Sequence, residues 1–504
     1  MSLSGLEQSL ERIGLKQDKK HDKKQDKKYI STTPVNTELA ETDSPSASDG
    51  CPADDHNGET SGSTTIVDFV TMGMFIIDEI EYLPPKPPVR DILGGGGAYA
   101  ALGARLFSPA PTLSQTVGWI VDKGSDFPEA MGDLVESWKT AVVMRYDPNR
   151  LTTRGWNGYD EAERRAFRYA TPKKRLTAQD LPPSLLTARA FHILSSASRC
   201  RELVEDIKSR RRKAIDALGP DHPSAAQILA RPYFIWEPVP DLCTPDELLE
   251  CTNTLPVVDV CSPNHTELAA YMGDPDKGMD PETGTLSKAA VERACEQLLS
   301  AMPLQSYALV IRAAEHGCFV AKNGGRHHLR SDKSKSANAL GSKNKKKKPA
   351  AQRQDLHGGL RPDVDMEALF AGLMQTKEGS IAREEVEIDS GLELWIPAVS
   401  GEMAETRAES RSGAIAPTKP LQVVDPTGGG NAFLGGFSVA VARGKSLDEA
   451  AAWGNIAASF AIEQVGMPVL GKDAEGQETW NGVRVDDRYA AYETLLRGRG
   501  LLKQ

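Results

Sequence analysis

The sequence predicts an α/β protein built on a mostly parallel sheet with a small β lid, and three observations carry that prediction. Apolar β-branched and aromatic runs alternate with amphipathic helical stretches along most of the chain, a rhythm that calls for right-handed crossovers and a sheet covered on both faces. Two glycine clusters, at 94–97 and 428–430, each stand before a helical stretch, where backbone N–H groups can converge on a ligand. The segment 146–171, which includes RGWNGYDEAERRAFRYA, interrupts the rhythm with polar and aromatic residues. A small strand-rich lid accounts for it.

The elements follow in order. Residues 1–64 carry the charged repeat QDKKHDKKQDKK and then a Ser, Asp and Gly-rich stretch; too little apolar area is available to offset the ordering entropy, so this is read as a disordered tail. Asp18, Asp22 and Asp26 dilute the lysines, which favours a solvated tail over a docking arm. The folded domain, 65–504, opens at Thr65 with TIVDFVTMGMFIID, read as one buried strand. Further strands are expected at TVGWIV, AVVMRY, FHILSS, YFIWEP, LPVVDV and YALVIR, separated by helices at FPEAMGDLVESW, SRCRELVEDIKSRR, NHTELAAYM and KAAVERACEQLLSAM. A low-complexity insertion at about 324–386 is too polar and too long for an ordinary connection. Within it, Met366, Leu369, Phe370, Leu373 and Met374 fall at helical spacing and would dock a short helix on the domain.

Composition narrows the function. The chain has 504 residues, 39% hydrophobic and 26% charged, enough for one large domain or two smaller ones. A net charge of -10 argues against general affinity for nucleic acid or an anionic membrane surface. No apolar stretch approaches the roughly 18 residues of a bilayer span and the N-terminus has no apolar signal region, so a cytoplasmic protein is expected. Lys345–Lys348 leave a nuclear location open, although a solvated loop is the preferred reading of a short lysine run. Seven cysteines without a C-x-x-C pair are expected to be reduced thiols.

The chemistry gathers in three motifs. VVDPTGGGNAFLGGF, 423–437, reads as strand, glycine turn and helix. Gly428, Gly429 and Gly430 leave consecutive N–H groups unencumbered at a positive helix end; such a turn could hold a γ-phosphate and stabilise the charge that spreads during its transfer. Asn431 stands at the helix entrance, where a carboxylate would be the group to move a proton. LGGGGAYAALGARLF, 93–107, offers a second pocket for a second substrate. CSPNHTEL places Asn264 and Glu267 three apart at a helix start, able to hold a hydrated magnesium ion and phosphate oxygens, or simply to cap the helix.

In this order the motifs resemble the PfkB family of carbohydrate and nucleoside kinases, the ribokinase-like proteins, over nearly the whole ordered chain. TMGMFIIDEI and GGGGAYAALGARLF are similar to a fungal branch of it. The resemblance implies a ribokinase-like three-layer fold and an ATP-dependent transfer to a sugar or nucleoside hydroxyl. It matches Gly73 and Asp78 to the family's first-strand glycine and sugar-hydroxyl aspartate, Gly94 and Gly95 to its diglycine hinge, and Asn264 and Glu267 to its N-x-x-E motif. It further implies nucleotide contacts from Asn264, Glu267, Arg312, Ala314 and Asn455, Mg2+ held by Glu267 through water, and K+ beside Asp425. The lid leaves a homodimer or a protein partner open.

Three departures cut across this resemblance. Asn431 replaces the aspartate that accepts the hydroxyl proton, Tyr99 replaces a sugar-holding asparagine, and Arg312 and Ala314 stand in a loop that is commonly T-x-G. An amide hydrogen-bonds at the same reach but has no useful basicity. Two functions remain: a kinase with an amide at the base position, slowed by the missing base but still able to turn over because a loose transition state demands little early deprotonation, or a noncatalytic protein that binds nucleotide or metabolite as a scaffold or regulator.

Overall fold

The apolar run that opens the domain forms two strands in two different sheets. β1 (Phe69–Thr71) ends before Met72, and β2 (Ile76–Glu81) begins after Phe75. The break packs on the first helix: a Cβ on Gly73 would stand 2.7 Å from the Gly97 nitrogen. No change of polarity marks it, since Met72 and Phe75 are themselves buried.

The computed structural model describes residues 66–159, 165–218, 230–301, 306–326, 388–389, 391–399 and 422–502. The expected tail, and the expected helix within the insertion, lie outside these residues. After β2 come β3 (Val89–Gly94), α1 (Gly96–Leu106), β4 (Val117–Lys123), α2 (Glu129–Ser137), β5 (Ala141–Tyr146), β6 (Arg154–Tyr159) and β7 (Arg165–Tyr169). Then follow α3 (Pro183–Leu186), β8 (Ala190–Ser195), α4 (Ala197–Leu218), β9 (Tyr233–Pro238), α5 (Leu248–Thr254), β10 (Val260–Cys261), α6 (His265–Tyr271) and α7 (Lys288–Ala301). The order continues with β11 (Ala308–Arg312), β12 (Cys318–Lys322), β13 (Gly325–Arg326), β14 (Ile388–Asp389) and β15 (Leu392–Ile396). It closes with α8 (Gly429–Ala442), α9 (Leu447–Ala461), β16 (Leu470–Lys472), β17 (Glu478–Trp480) and α10 (Val485–Gly498).

Nine strands make the main sheet, in the order β15-β12-β11-β10-β9-β8-β1-β4-β5. Every pairing from β11 to β5 is parallel, while β12 runs antiparallel to both its neighbours. Strands buried on both faces read as continuous apolar runs, and successive residues feed opposite layers. Phe69 and Ile235 join the core of α1, α8, α9 and α10, whereas Val70, Phe234 and Trp236 join that of α4 to α7. The result is the expected three-layer α/β sandwich.

A four-stranded lid, ordered β3-β2-β6-β7, pairs β2 with β6 in parallel and its two edges antiparallel. The segment 146–171 supplies β6 and β7; the other half comes from the opening run and its return strand. Three further expectations need correction. LPVVDV forms a strand only at Val260–Cys261, because Leu255–Val257, with Pro256 inside, winds into a 3-10 turn. VVD at 423–425 is irregular: the N–H groups of Val424 and Asp425 donate to the Ile462 carbonyl at the end of α9, at 2.8 and 3.2 Å, instead of to a strand neighbour. Gly325 and Arg326, placed in the insertion by composition, belong to β13 and pair with Asp389 and Ile388 of β14.

Candidate functional site

The carboxyl ends of the parallel strands meet the N-terminus of α8, the place where open α/β sheets collect their ligands. Each strand contributes through its register. Thr71 is aligned with His192, and Thr71 Oγ1 lies 3.0 Å from His192 Nδ1. The other ring nitrogen, Nε2, lies 3.0 Å from Glu237 Oε2. Glu237, near the end of β9, also accepts from Asn431 Nδ2 at 2.8 Å and pairs through Oε1 with Arg312 Nη1 at 2.6 Å. Arg312 ends β11 beside Asn264, to which its backbone is bridged. Its Nη2 donates to the Ser262 carbonyl at 2.9 Å and reaches Glu267 Oε2 at 3.4 Å.

Burying a carboxylate this deeply costs several kcal/mol unless a cation and hydrogen bonds compensate it. Glu237 is 4% exposed and His192 fully buried. Burial pushes the Glu237 pKa up, but Arg312, His192 and Asn431 outweigh it and hold the group at about 2. Glu267 moves the other way: burial raises it, with Arg312 and the Asn264 backbone opposing and the neighbouring Glu237 adding to the rise.

Gly428 caps α8 with φ of 77°, a left-handed conformation that suits glycine. A side chain there would collide with the ring of Tyr99, and one on Gly430 would collide with Arg312 Nη1. Tyr99, expected to hold the acceptor, thus lies 3% exposed beneath the glycine turn. Asp78, on lid strand β2, stands where a Gly94 side chain would begin. It accepts from Asn157 Nδ2 of β6 at 3.4 Å. Gly95 caps α1, and a Cβ on Gly96 would be 3.1 Å from Asn431 Nδ2. The glycine run 94–96 therefore links Asp78 to Asn431.

Other expected residues stand apart from this cluster. Ala314 is exposed, in a 3-10 turn after β11. Asn455 Nδ2 donates to the Pro397 carbonyl at 3.1 Å and to Tyr492 Oη at 2.9 Å. Asp425 is buried and accepts from Thr427 N at 2.9 Å within its own turn. Glu237, His192, Thr71 and Asn157 were not singled out by sequence reasoning. A signal was available for two of them, because His192 and Glu237 interrupt otherwise apolar buried strands, where a titratable side chain needs a partner.

A magnesium ion bound directly by the N-x-x-E side chains does not fit this arrangement. Glu267 Oε1 accepts from Asn264 Nδ2 at 2.7 Å and Oε2 from Asn264 N at 2.8 Å, while Asn264 Oδ1 accepts from Glu267 N at 2.8 Å. This is a complete capping box. Arg312 engages the remaining face of the carboxylate, so an ion there would have to displace the guanidinium from a buried pair. Among the described residues no three His, Cys, Asp or Glu converge as metal ligands.

The pfkB family carbohydrate kinase profile matches residues 406–469. Protein MAK32 of Saccharomyces cerevisiae is 30% identical over 432 residues, 84% of this chain and 91% of that protein. A Schizosaccharomyces pombe protein is 29% identical over 432 residues, covering 85% and 94%. Among solved structures, ribokinase from Giardia lamblia is similar over 84% of this chain and 99% of its own, with a TM-score of 0.47 at 14% identity. With a carbohydrate-kinase signature over the glycine turn and a full-length relative at this identity, the chain belongs to the PfkB family of carbohydrate kinases.

Proposed function

We propose that this protein is a PfkB-family member that binds a sugar or nucleoside under its lid, with an ATP phosphate tail at Gly428–Gly430, and no longer transfers phosphate at the rate of a kinase. The observation that carries this reading is the 2.8 Å hydrogen bond from Asn431 to Glu237. An attacking hydroxyl must hand on its proton. Asn431 cannot accept it, and its amide nitrogen is already engaged. The nearest carboxylate, Glu237, accepts from three side chains and is held at about 2, which makes it a poor base at neutral pH. The general-base contribution, about 10²- to 10⁴-fold, is missing.

The acceptor corner supports retained binding. Asp78 meets Gly94 and Asn157 within the lid, and Gly96, two residues further on, lies against Asn431. This same corner favours slow catalysis as the second reading, since positioning alone contributes to phosphoryl transfer. Calorimetry with pentoses, hexoses, nucleosides and ATP, run beside acceptor-dependent ADP release, separates the two. Ligand binding with ADP release at background is expected. Turnover of roughly 1 s⁻¹ or more, within the ordinary kinase range, would overturn the noncatalytic reading.

A further inference from the structure

We infer that Arg312 is the resident cation of this site, standing where a divalent ion would otherwise be held, so that ligand binding at the glycine turn proceeds without a divalent metal. The inference rests on the reading that phosphate groups seat at Gly428–Gly430. Its basis is how the two available carboxylates are used. Arg312 Nη1 takes Glu237 Oε1 at 2.6 Å, and Nη2 reaches Glu267 Oε2 at 3.4 Å and the Ser262 carbonyl at 2.9 Å. One planar fork therefore bridges both acids, a geometry that a guanidinium supplies and an ammonium cannot.

Space and charge agree with this assignment. Nη1 fills the position where a side chain on Gly430 would begin, so the cation lies against the first turn of α8. Phosphate oxygens at that turn would meet backbone N–H groups and a guanidinium together, a pairing both partners favour. Both Glu267 oxygens accept from Asn264, and Oε2 faces Arg312 as well, so a metal at either oxygen would compete with donors already in place. The main chain of Arg312 is also held, by a backbone bridge to Asn264. A metal could enter only by displacing a buried ion pair.

Manganese alone, read by the loss of its free six-line electron paramagnetic resonance signal, tests the assignment on the full-length protein. Wild type should leave the signal undiminished up to millimolar protein. Arg312→Met, which leaves Glu237 and Glu267 without their bridge, should bind one Mn2+ in competition with Mg2+, and its melting temperature should rise with added Mn2+. Arg312→Lys keeps a positive charge and should bind none. Stoichiometric Mn2+ binding by wild type, lost in Glu267→Gln, would overturn the inference even where Arg312→Met fails to fold. Calorimetry with ADP gives a second reading: affinities in EDTA and in MgCl2 should agree within twofold. A tenfold gain from magnesium would overturn the inference and leave the nucleotide reading standing. Absence of ADP binding in both buffers would remove the nucleotide reading, with the Mn2+ titration still deciding the inference.

Discussion

The guanidinium of Arg312 occupies the space in which a side chain at Gly430 would begin. The two residues are far apart in sequence, yet the glycine is what allows the ion pair with Glu237 to sit against the helix end. A glycine in a phosphate-binding turn is ordinarily explained by ligand approach; here a residue of the same chain makes that approach.

Gly430→Ala should therefore destabilise the protein. Alanine gains about 1 kcal/mol of helix propensity over glycine, but the methyl displaces Arg312 and leaves Glu237 buried without its cation, a loss of about 3 to 5 kcal/mol for a broken buried pair. Urea unfolding should show a net loss of roughly 2 to 4 kcal/mol. An unchanged or raised midpoint would mean that the arginine moves aside and keeps its partner.

Glu237 also sets a pH dependence. Its folded pKa of about 2 lies below the roughly 4.3 of an unfolded glutamate. A depressed carboxyl stabilises the fold above its unfolded value, and that contribution is lost as pH falls through the folded value. The window is therefore between about pH 4.3 and about pH 2, with the full contribution retained at neutral pH. Glu237→Gln should lower stability at pH 7 and flatten its decline across pH 5 to 3. An equal slope in both proteins would assign the acid sensitivity to other carboxyls.

Asn431→Asp places a second carboxylate beside Glu237 Oε2, where wild type has a 2.8 Å hydrogen bond. Two acids at this distance share a proton, so the single variant should lose stability and gain at least tenfold in acceptor-dependent ADP release, the gain growing as pH rises. The paired variant Asn431→Asp with Glu237→Gln keeps the net charge and reverses the bond, with a glutamine amide donating to the new aspartate. It should be more stable than Asn431→Asp alone and release ADP faster at pH 7. Background release by both, with ATP and acceptor bound, would show that a missing base does not limit this site.

Gly103→Ala tests the packing that aims α8 at the site. A Cβ there would collide with the Ala432 carbonyl, one residue past Asn431. Backbone cannot swing away as a side-chain tip can, so α1 and α8 must separate, at about 1 to 3 kcal/mol. Gly498→Ala, which meets nothing within 4 Å at the end of α10, serves as control and should be neutral. Equal melting temperatures for both variants would rule out close helix contact.

The alternation of buried runs and helices carried the fold, because a parallel sheet covered on both faces leaves its strands apolar throughout. The same property hid the break at Met72–Phe75, where the chain leaves one sheet for another without becoming polar. The glycine turn and the helix that carries Asn431 could be read because their residues are near neighbours in sequence. Glu237 and His192 lie on separate strands, and only the adjacency of β8 and β9 brings them together. Arg312 was visible as a departure from a motif, but its role depends on Glu237 and Gly430, which belong to other elements. VVD at 423–425 has strand composition, and the Ile462 carbonyl takes the N–H groups that would have made it one.

Arg326 and Ile388 face each other across β13 and β14. Chain that departs at one and returns at the other does so within a single strand spacing, about 5 Å. Its length is consequently decoupled from the sheet: each doubling adds only about 0.6 kcal/mol of closure entropy. A cargo, a reporter or a recognition sequence spliced between these two strands would leave the carboxyl ends of the main-sheet strands in register.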